Sequence, residues 1–278
     1  MSGSVAVSER VTRVTPFGAR FWDVAAGQAV VEGLRVLHRD PAGRTMAAIP
    51  NRAGVWQLRG VPGLREVEYG AGDEAYWDGN PPRPTGTIEV VDPAGRFVPV
   101  SFVASLPARG VLTDPCSPAA ASTPGVPLFP APARPLPPGL AAIRAELEDR
   151  DSGEPAAFAL LEAEVEAPGA PPVRARGIAD RRGQVVVALP YPEPAADDGA
   201  RPLSALTWTA RLRLLYRPPG AGERADDLCR ILRQAEGRLL SSAPPSVPVN
   251  QTTVAFGRES VVRANGGSKL LAAAEPPP

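Results

Sequence analysis

Histidine, lysine and cysteine are nearly absent from this chain of 278 residues, which has only His38, Lys269, Cys116 and Cys229. A zinc carboxypeptidase site needs histidines together with a glutamate, so that activity is excluded. A Ser-His-Asp triad would depend on His38 alone, and the chain has no Gly-x-Ser-x-Gly elbow. His38 is close to a turn, and we expect it on the surface or at a strand end. The sequence therefore assigns no catalytic residue and predicts a protein that is not an enzyme.

The cysteines are interpreted through the compartment in which the protein folds. The first ten residues do not place basic residues before an apolar run, so we expect no classical secretion signal. We expect the protein to be located in the cytoplasm. If it is part of an extracellular particle, it is released with that particle. In the cytoplasm the two cysteines are expected to be free thiols. The sequence leaves open whether Cys116 and Cys229 pair.

The chain also lacks an excess of one charge, because it has 30 basic and 30 acidic residues and no cluster of basic residues in the sequence. Nucleic-acid-binding proteins carry a basic patch, so we expect no nucleic-acid partner. No apolar stretch reaches the length of a membrane span, so we expect no membrane insertion.

Proline and glycine are abundant, with 35 and 27 residues. Proline is excluded from helix interiors and central strands, so the composition favours short strands, turns and extended connections. Residues 107–138 contain ten prolines and are expected to divide the chain. The predicted organisation is a first β-sandwich over 8–106, a Pro-rich linker or arm over 107–138, a second β-sandwich over 139–218, and a C-terminal helix and strand extension with a Pro-rich tail over 219–278.

Alternating apolar and polar residues predict the strands. Residues 206–216 alternate most clearly, and residues 85–106 indicate a hairpin around the turn Asp92–Gly95. One helix is predicted near the C-terminus, where Asp226 and Asp227 favour its start. Its apolar positions at helical spacing are Leu228, Ile231, Leu232, Ala235 and Leu239.

Two sets of turn residues recur along the chain and indicate a duplicated domain. Gly27 and Gly153 each follow an acidic residue and precede an apolar strand. The pattern Asn51-x-x-Gly54 matches Asp180-x-x-Gly183, and a Val-rich strand and a proline follow each. The size of this unit is that of a sandwich domain rather than of a solenoid repeat.

These turns resemble those of the carboxypeptidase regulatory-like domains, which are transthyretin-like β-sandwiches. The first copy carries the resemblance at Asp23, Gly27, Val30, Asn51, Gly54, Trp56, Leu58, Pro62 and Gly63, and the second at Asp180, Gly183, Val185, Val187 and Pro190. The resemblance implies an all-β protein with two tandem transthyretin-like or Ig-like sandwiches.

A second set of segments resembles uncharacterised proteins encoded beside phage-tail-like contractile injection systems. The segments are Phe21–Asp23, Gly54–Trp56, Gly70–Asp73, Phe97–Pro99 and Ala188–Pro192. This resemblance implies a component of a sheath, tube, baseplate or cap.

Cofactor and metal sites were tested against their sequence context. Residues 70–75 match the dinucleotide fingerprint by letter, but Pro81 and Pro82 leave no room for the helix that binds the pyrophosphate. We therefore interpret the segment as a flexible loop and predict no cofactor. Carboxylates that could hold calcium lack the EF-hand spacing, so no metal is predicted. They are Asp73, Glu74, Asp78, Asp149 and Asp151.

Two surface features complete the candidates. Glu162, Glu164 and Glu166 share one strand face, and we interpret them as partners of arginines on neighbouring strands rather than as a paired acid/base site. Those arginines are Arg174, Arg176, Arg211 and Arg213. Among the tryptophans, Trp56 and Trp208 are expected in the core. Trp77, in a Gly/Pro-rich loop, is the candidate contact residue.

The predicted function is that of a non-catalytic structural or assembly component of a multi-protein particle. Its expected partners are other protein subunits, including further copies of this chain. The alternative is a carbohydrate- or surface-binding adhesion module.

Overall fold

The computed structural model describes residues 14–70, 77–78, 82–116, 124–166, 171–194, 202–264 and 267–275. The chain divides into two compact units. The first contains residues 1–21, 29–90 and 102–126, and the second contains residues 22–28, 91–101 and 127–278. Strands dominate and the helices are short, so the predicted all-β, two-domain class is confirmed.

The first sheet is formed by the N-terminal strands. These are β1 (Phe17–Asp23), β2 (Gln28–Val30), β3 (Arg35–Arg39), β4 (Thr45–Pro50), β5 (Val55–Leu58), β6 (Thr85–Val91), β7 (Val100–Ser105) and β8 (Val126–Leu128). Their order is β2-β1-β5-β4-β3-β6-β7, and β8 also pairs with β1. Phe17, Ala19 and Phe21 alternate along β1 and are fully buried, as expected for a sheet with one face in the core. Helix α1 (Arg65–Gly70) follows β5.

The second sheet contains the remaining strands. These are β9 (Leu140–Asp149), β10 (Leu160–Val165), β11 (Val173–Ile178), β12 (Gln184–Pro190), β13 (Thr207–Leu215), β14 (Glu236–Ser241), β15 (Gln251–Ala255), β16 (Ser260–Val261) and β17 (Lys269–Ala274). Their order is β11-β10-β13-β14-β17-β9-β12, while β15 pairs with β13 and β16 with β9. A short 3₁₀ turn (Leu203–Ala205) precedes β13, and helix α2 (Leu228–Leu232) precedes β14.

The second sheet curls around its own apolar core, because its two terminal strands, β11 and β12, lie against each other. Ile143, Leu161 and Val187 are among the side chains that are fully buried in this core. Gly177 makes the approach possible, since a Cβ there would collide with the backbone oxygen of Val186. Interior residues from several strands therefore share one hydrophobic cluster, as in a β-sandwich.

The matching turns of the sequence have the same structure. The Oδ1 atom of Asn51 accepts hydrogen bonds from the backbone N–H groups of Ala53 and Val55. The Oδ1 atom of Asp180 accepts the equivalent bonds from Arg182 and Gln184. In each turn the glycine has a positive φ, 72° at Gly54 and 77° at Gly183, which side chains rarely adopt. The local pattern therefore encodes a defined tight turn between two strands.

The Asp-x-x-x-Gly turns are also alike. Asp23 accepts backbone hydrogen bonds from Ala25 and Ala26, and Asp149 accepts them from Asp151 and Ser152. Both carboxylates are buried, at 2% and 6% exposure. Each carboxylate has a further partner, which is Arg134 for Asp23 (2.5 Å) and the Tyr216 hydroxyl for Asp149. These aspartates therefore bond to the backbone groups of their own turns and hold the turn conformation.

The predicted C-terminal helix is only partly correct. Helix α2 begins after Asp227, whose carboxylate caps the N–H groups of Cys229 and Arg230, but it ends at Leu232. Leu239 lies in β14, where it pairs with Ala272 of β17. The helical spacing of Leu239 is therefore coincidental, since sheet pairing overrides weak local propensity. Helix α1 was not predicted.

The Pro-rich segment 107–138 takes part in regular structure where it is described. It contains β8, and Leu112 forms an isolated parallel bridge with Ala19. Val126, Leu128 and Phe129 are buried. This segment, expected to be a linker or arm, therefore adds strand pairing and core contacts.

The cysteines differ from the expectation. Both Cys116 and Cys229 are disulfide-bonded, and neither is a free thiol. The prediction of two free thiols is therefore wrong. It depended on the expected compartment, and nothing in the spacing of two cysteines 113 positions apart reveals whether the folded chain brings a thiol to a partner.

Candidate functional site

The lone histidine lies inside the first unit. Side chains of β3 alternate, so Val36 and His38 point to the buried face while Arg39 is exposed. His38 is only 5% exposed, near the end of the strand. The expected strand-end position is therefore correct, but the expected surface location is wrong. The burial of His38 could not be predicted from its neighbours Leu37 and Arg39, because the register of the strand decides which face of the sheet each residue occupies.

A cavity of about 150 Å³ lies next to His38 in this unit. Its buried walls are His38, Val61, Leu64 and Leu106, and Met46 is half-buried. Exposed residues form the rim and open the cavity to solvent: Pro41, Arg44, Pro62, Pro84 and Thr85. Asp40 completes the lining. Apolar walls with a few polar groups are typical of small-ligand pockets.

The charges at the rim neutralise each other. Arg44 Nε donates to Asp40 Oδ2 at 2.6 Å, and the Arg44 backbone N–H donates to Asp40 Oδ1 at 2.9 Å. Desolvation acts to raise the pKa of Asp40, but these bonds and the Arg44 charge hold it below its usual value. Asp40 is therefore an ionised, paired carboxylate at neutral pH.

The imidazole of His38 is neutral at neutral pH. Burial lowers its pKa below 6.5, and the Asp40 charge offsets this only in part. Gly86 of β6 provides the space for the ring, since a Cβ at Gly86 would collide with Nε2 and Cδ2 of His38. The site thus holds a buried neutral base that faces an open cavity.

Stability is expected to fall as the pH drops below 6.5 because of His38. The unfolded chain binds a proton near pH 6.5, whereas the folded chain binds it only at a lower pH. Between these values the unfolded state holds more protons, so the free energy of unfolding rises with pH. The slope is at most about 1.4 kcal/mol per pH unit. Urea denaturation at a series of pH values between about 5 and 7 measures it.

His38→Gln is the control for this prediction. No other histidine exists in the chain, so the variant is expected to lose the pH dependence in this range. An equal slope in both proteins would show that His38 is not the responsible group.

The row of glutamates is paired, as the sequence predicted. Glu162 lies opposite both Arg176 and Arg213 in the register, and Glu164 lies opposite Arg174 and Arg211. Salt bridges join Glu162 to Arg176 at 2.6 Å, Glu164 to Arg174 at 3.0 Å, Glu166 to Arg211 at 2.8 Å, and Glu236 to Arg213 at 2.6 Å. The carboxylates therefore form a balanced ion-pair face.

The remaining candidates are distributed as follows. Trp77 is half-buried, and its role as a contact residue stays a prediction. Trp56 is in the core at 3% exposure, and Trp208 is half-buried against the core of the second unit. Asp73, Glu74 and most of the loop at 70–75 lie outside the described residues.

Metal ligands do not cluster in the part of the chain that the structure describes, where no group of three His, Cys, Asp or Glu side chains is placed to hold an ion. The carboxylate of Asp149 is engaged by its own turn and by Tyr216. Among the described helices, none has both the length and the apolar character needed to cross a membrane.

Comparisons with protein-family models, curated proteins and solved structures found no match to this chain.

Proposed function

We propose that this protein is a non-catalytic structural component of a multi-protein assembly, and that a phage-tail-like contractile particle is the specific case. The observation that carries the proposal is the outer edge of β7, which is the last strand in the order of the first sheet. Edge strands present unpaired backbone groups that can bind a strand from another chain.

The geometry of β7 supports strand addition at this edge. The N–H of Ser101 donates to the backbone oxygen of Asp226 at 2.8 Å, so it points away from β6, and a parallel bridge with Asp227 already occupies the edge at this residue. The N–H of Val103, two residues further along the strand, points the same way. Val103 is also 56% exposed, which adds an apolar contact for a partner strand. An aliphatic side chain beside an open edge favours a protein partner.

The first sheet already pairs with an extended Pro-rich segment of its own chain. Strand β8, from the segment 107–138, lies beside β1. Pairing of this kind is the interaction that we propose for a segment of a neighbouring subunit.

The cysteines bear on where the assembly acts. Disulfides persist mainly in oxidising environments, and both Cys116 and Cys229 are disulfide-bonded. The disulfide-bonded state of the cysteines supports a particle component that functions outside the cell.

Val103→Pro is expected to reduce incorporation into the assembly by about tenfold or more. Proline removes the N–H that would bind a partner strand, and the loss of one or two backbone hydrogen bonds corresponds to that factor. Co-sedimentation with high-mass particles, isolated from cells that express the tagged protein, measures the incorporation.

Val103→Thr is the matched control, because it keeps the β-branched shape and the N–H, and its incorporation is expected to stay near the original level. If the protein never sediments with a high-mass particle and instead binds polysaccharide as a folded monomer, the assembly proposal is wrong and the adhesion alternative replaces it. Sheath and tube genes beside the coding gene would support the contractile particle.

A further inference from the structure

The cavity beside His38 plays no part in the proposed assembly role. We propose that it is a binding site for a small neutral molecule with a ring-sized apolar body and one hydroxyl group, of which phenols are the simplest class. The inference is independent of the β7 edge, which lies outside the cavity lining.

The size of the cavity sets the size of the ligand. A cavity of about 150 Å³ is comparable to the engineered apolar cavity that accommodates benzene. A disaccharide or a nucleotide is much larger than this volume. The cavity is therefore matched to a single six-membered ring or a short branched chain.

The walls favour an apolar body. Met46, Val61, Leu64 and Leu106 contribute side chains without hydrogen-bonding groups. Transfer of a ring from water to such walls is favourable in proportion to the apolar area that is buried. Met46 is unbranched and adaptable, which allows the wall to fit ligands of slightly different shape.

His38 specifies the polar group. A neutral imidazole offers one hydrogen-bond donor and one acceptor, and a hydroxyl group can satisfy either. His38 is 95% buried, as its 5% exposure shows, and its ring lines the open cavity. An apolar ligand that covers the imidazole would remove its contact with water, so a ligand hydroxyl that bonds to the ring gains affinity.

The charge balance favours a neutral ligand. Asp40 and Arg44 form an ion pair at the rim, so neither offers an uncompensated charge to an ionic ligand. An ion in this cavity would lose its hydration without gaining a counter-charge. Thr85 at the rim provides a further hydroxyl group near the opening.

Phenol is the probe for the test, and His38 is its reporter. Because the chain has a single histidine, the imidazole proton signals in an NMR spectrum belong to this residue without further assignment. Phenol is expected to shift these signals in a saturable way, with a dissociation constant on the order of 1 mM. Benzene is expected to bind about two- to tenfold more weakly, because it lacks the hydroxyl group.

Variants on one strand locate the binding. Met46 and Ile49 both lie on β4, but Met46 lines the cavity whereas Ile49 is 65% exposed on the other face. Met46→Phe fills the cavity and is expected to abolish the phenol-induced shift. Ile49→Phe is expected to leave it unchanged. Circular dichroism and the urea midpoint of each variant show whether it is folded.

Three results would overturn the proposal. The first is that phenol produces no saturable shift at concentrations well above the expected dissociation constant. The second is that a folded Met46→Phe variant binds phenol as tightly as the original protein. The third is equal affinity for phenol and benzene, which would remove the role of His38. His38→Phe, tested by calorimetry, is expected to bind phenol and benzene alike.

Discussion

Replacing Gly183 with alanine is expected to lower the free energy of unfolding by about 3 kcal/mol or more. Gly183 has a φ of 77°, and a side chain in this region costs about 1 kcal/mol. The added Cβ would also collide with the backbone oxygen of Leu147. The backbone at Gly183 cannot easily move away from this collision, because two hydrogen bonds hold it. The Gly183 oxygen accepts the Leu147 N–H at 2.8 Å, and the Gly183 N–H donates to the Asp180 oxygen. Urea denaturation followed by circular dichroism measures the loss.

Gly153→Ala is the matched control in the same unit. Gly153 has a φ of 73°, but nothing lies within 4 Å of the position that its Cβ would take. The control should therefore show the backbone cost alone, about 1 kcal/mol. Similar losses in both variants would mean that the β9 backbone adapts and that the collision is unimportant.

Removing the carboxylate of Asp149 with alanine is expected to cost about 3 kcal/mol. Its Oδ1 accepts the N–H groups of Asp151 at 3.0 Å and Ser152 at 2.7 Å, and the Ser152 hydroxyl at 2.9 Å. The Tyr216 hydroxyl is a further donor. In the variant the hydroxyl of Tyr216, a residue that is only 4% exposed, loses its acceptor together with the groups of the turn. Urea denaturation at pH 7 measures the effect.

Asp180→Ala is the control, since Asp180 also accepts two backbone N–H groups but is half-buried rather than buried. Water can replace its bonds, so a loss of about 1 kcal/mol is expected. Equal losses at the two positions would contradict the role that we assign to burial.

Acid should weaken the contribution of Asp149. Desolvation acts to raise its pKa, but the hydrogen bonds from Ser152 and Tyr216 hold it below the usual 3.8. A lowered pKa in the folded state stabilises the protein above pH 3.8, and this stabilisation is lost as the pH falls towards the folded-state value. The difference between Asp149→Ala and the original protein should therefore shrink at low pH.

Most strand positions could be predicted because local patterns agree with the final sheet. Strand β13 (Thr207–Leu215) lies within the alternating segment 206–216, and β6 and β7 lie within the predicted hairpin segment 85–106. The tight turns at Asn51 and Asp180 were also recognisable, because their side chains bond to backbone groups only two to four residues away. Such information is local and therefore readable in one sequence.

Features that depend on distant contacts were missed. Helix α1 has only six residues, and its Glu68 carboxylate accepts the N–H groups of Gly60 and Val61, outside the helix. The burial of His38 depends on the space that Gly86 leaves on another strand. The cavity combines residues from His38 to Leu106, and no short motif marks it. Tertiary packing creates these features, and a single sequence carries no direct record of it.

The balanced face of β10, β11, β13 and β14 has a consequence for recognition. Each of its four glutamates, Glu162, Glu164, Glu166 and Glu236, is bridged to an arginine of the same face. Opposite charges only a few ångströms apart cancel beyond a Debye length of about 8 Å, so this face neither attracts nor repels an approaching molecule at a distance. The face therefore produces little long-range electrostatic field, and partner specificity depends on short-range contacts elsewhere on the molecule.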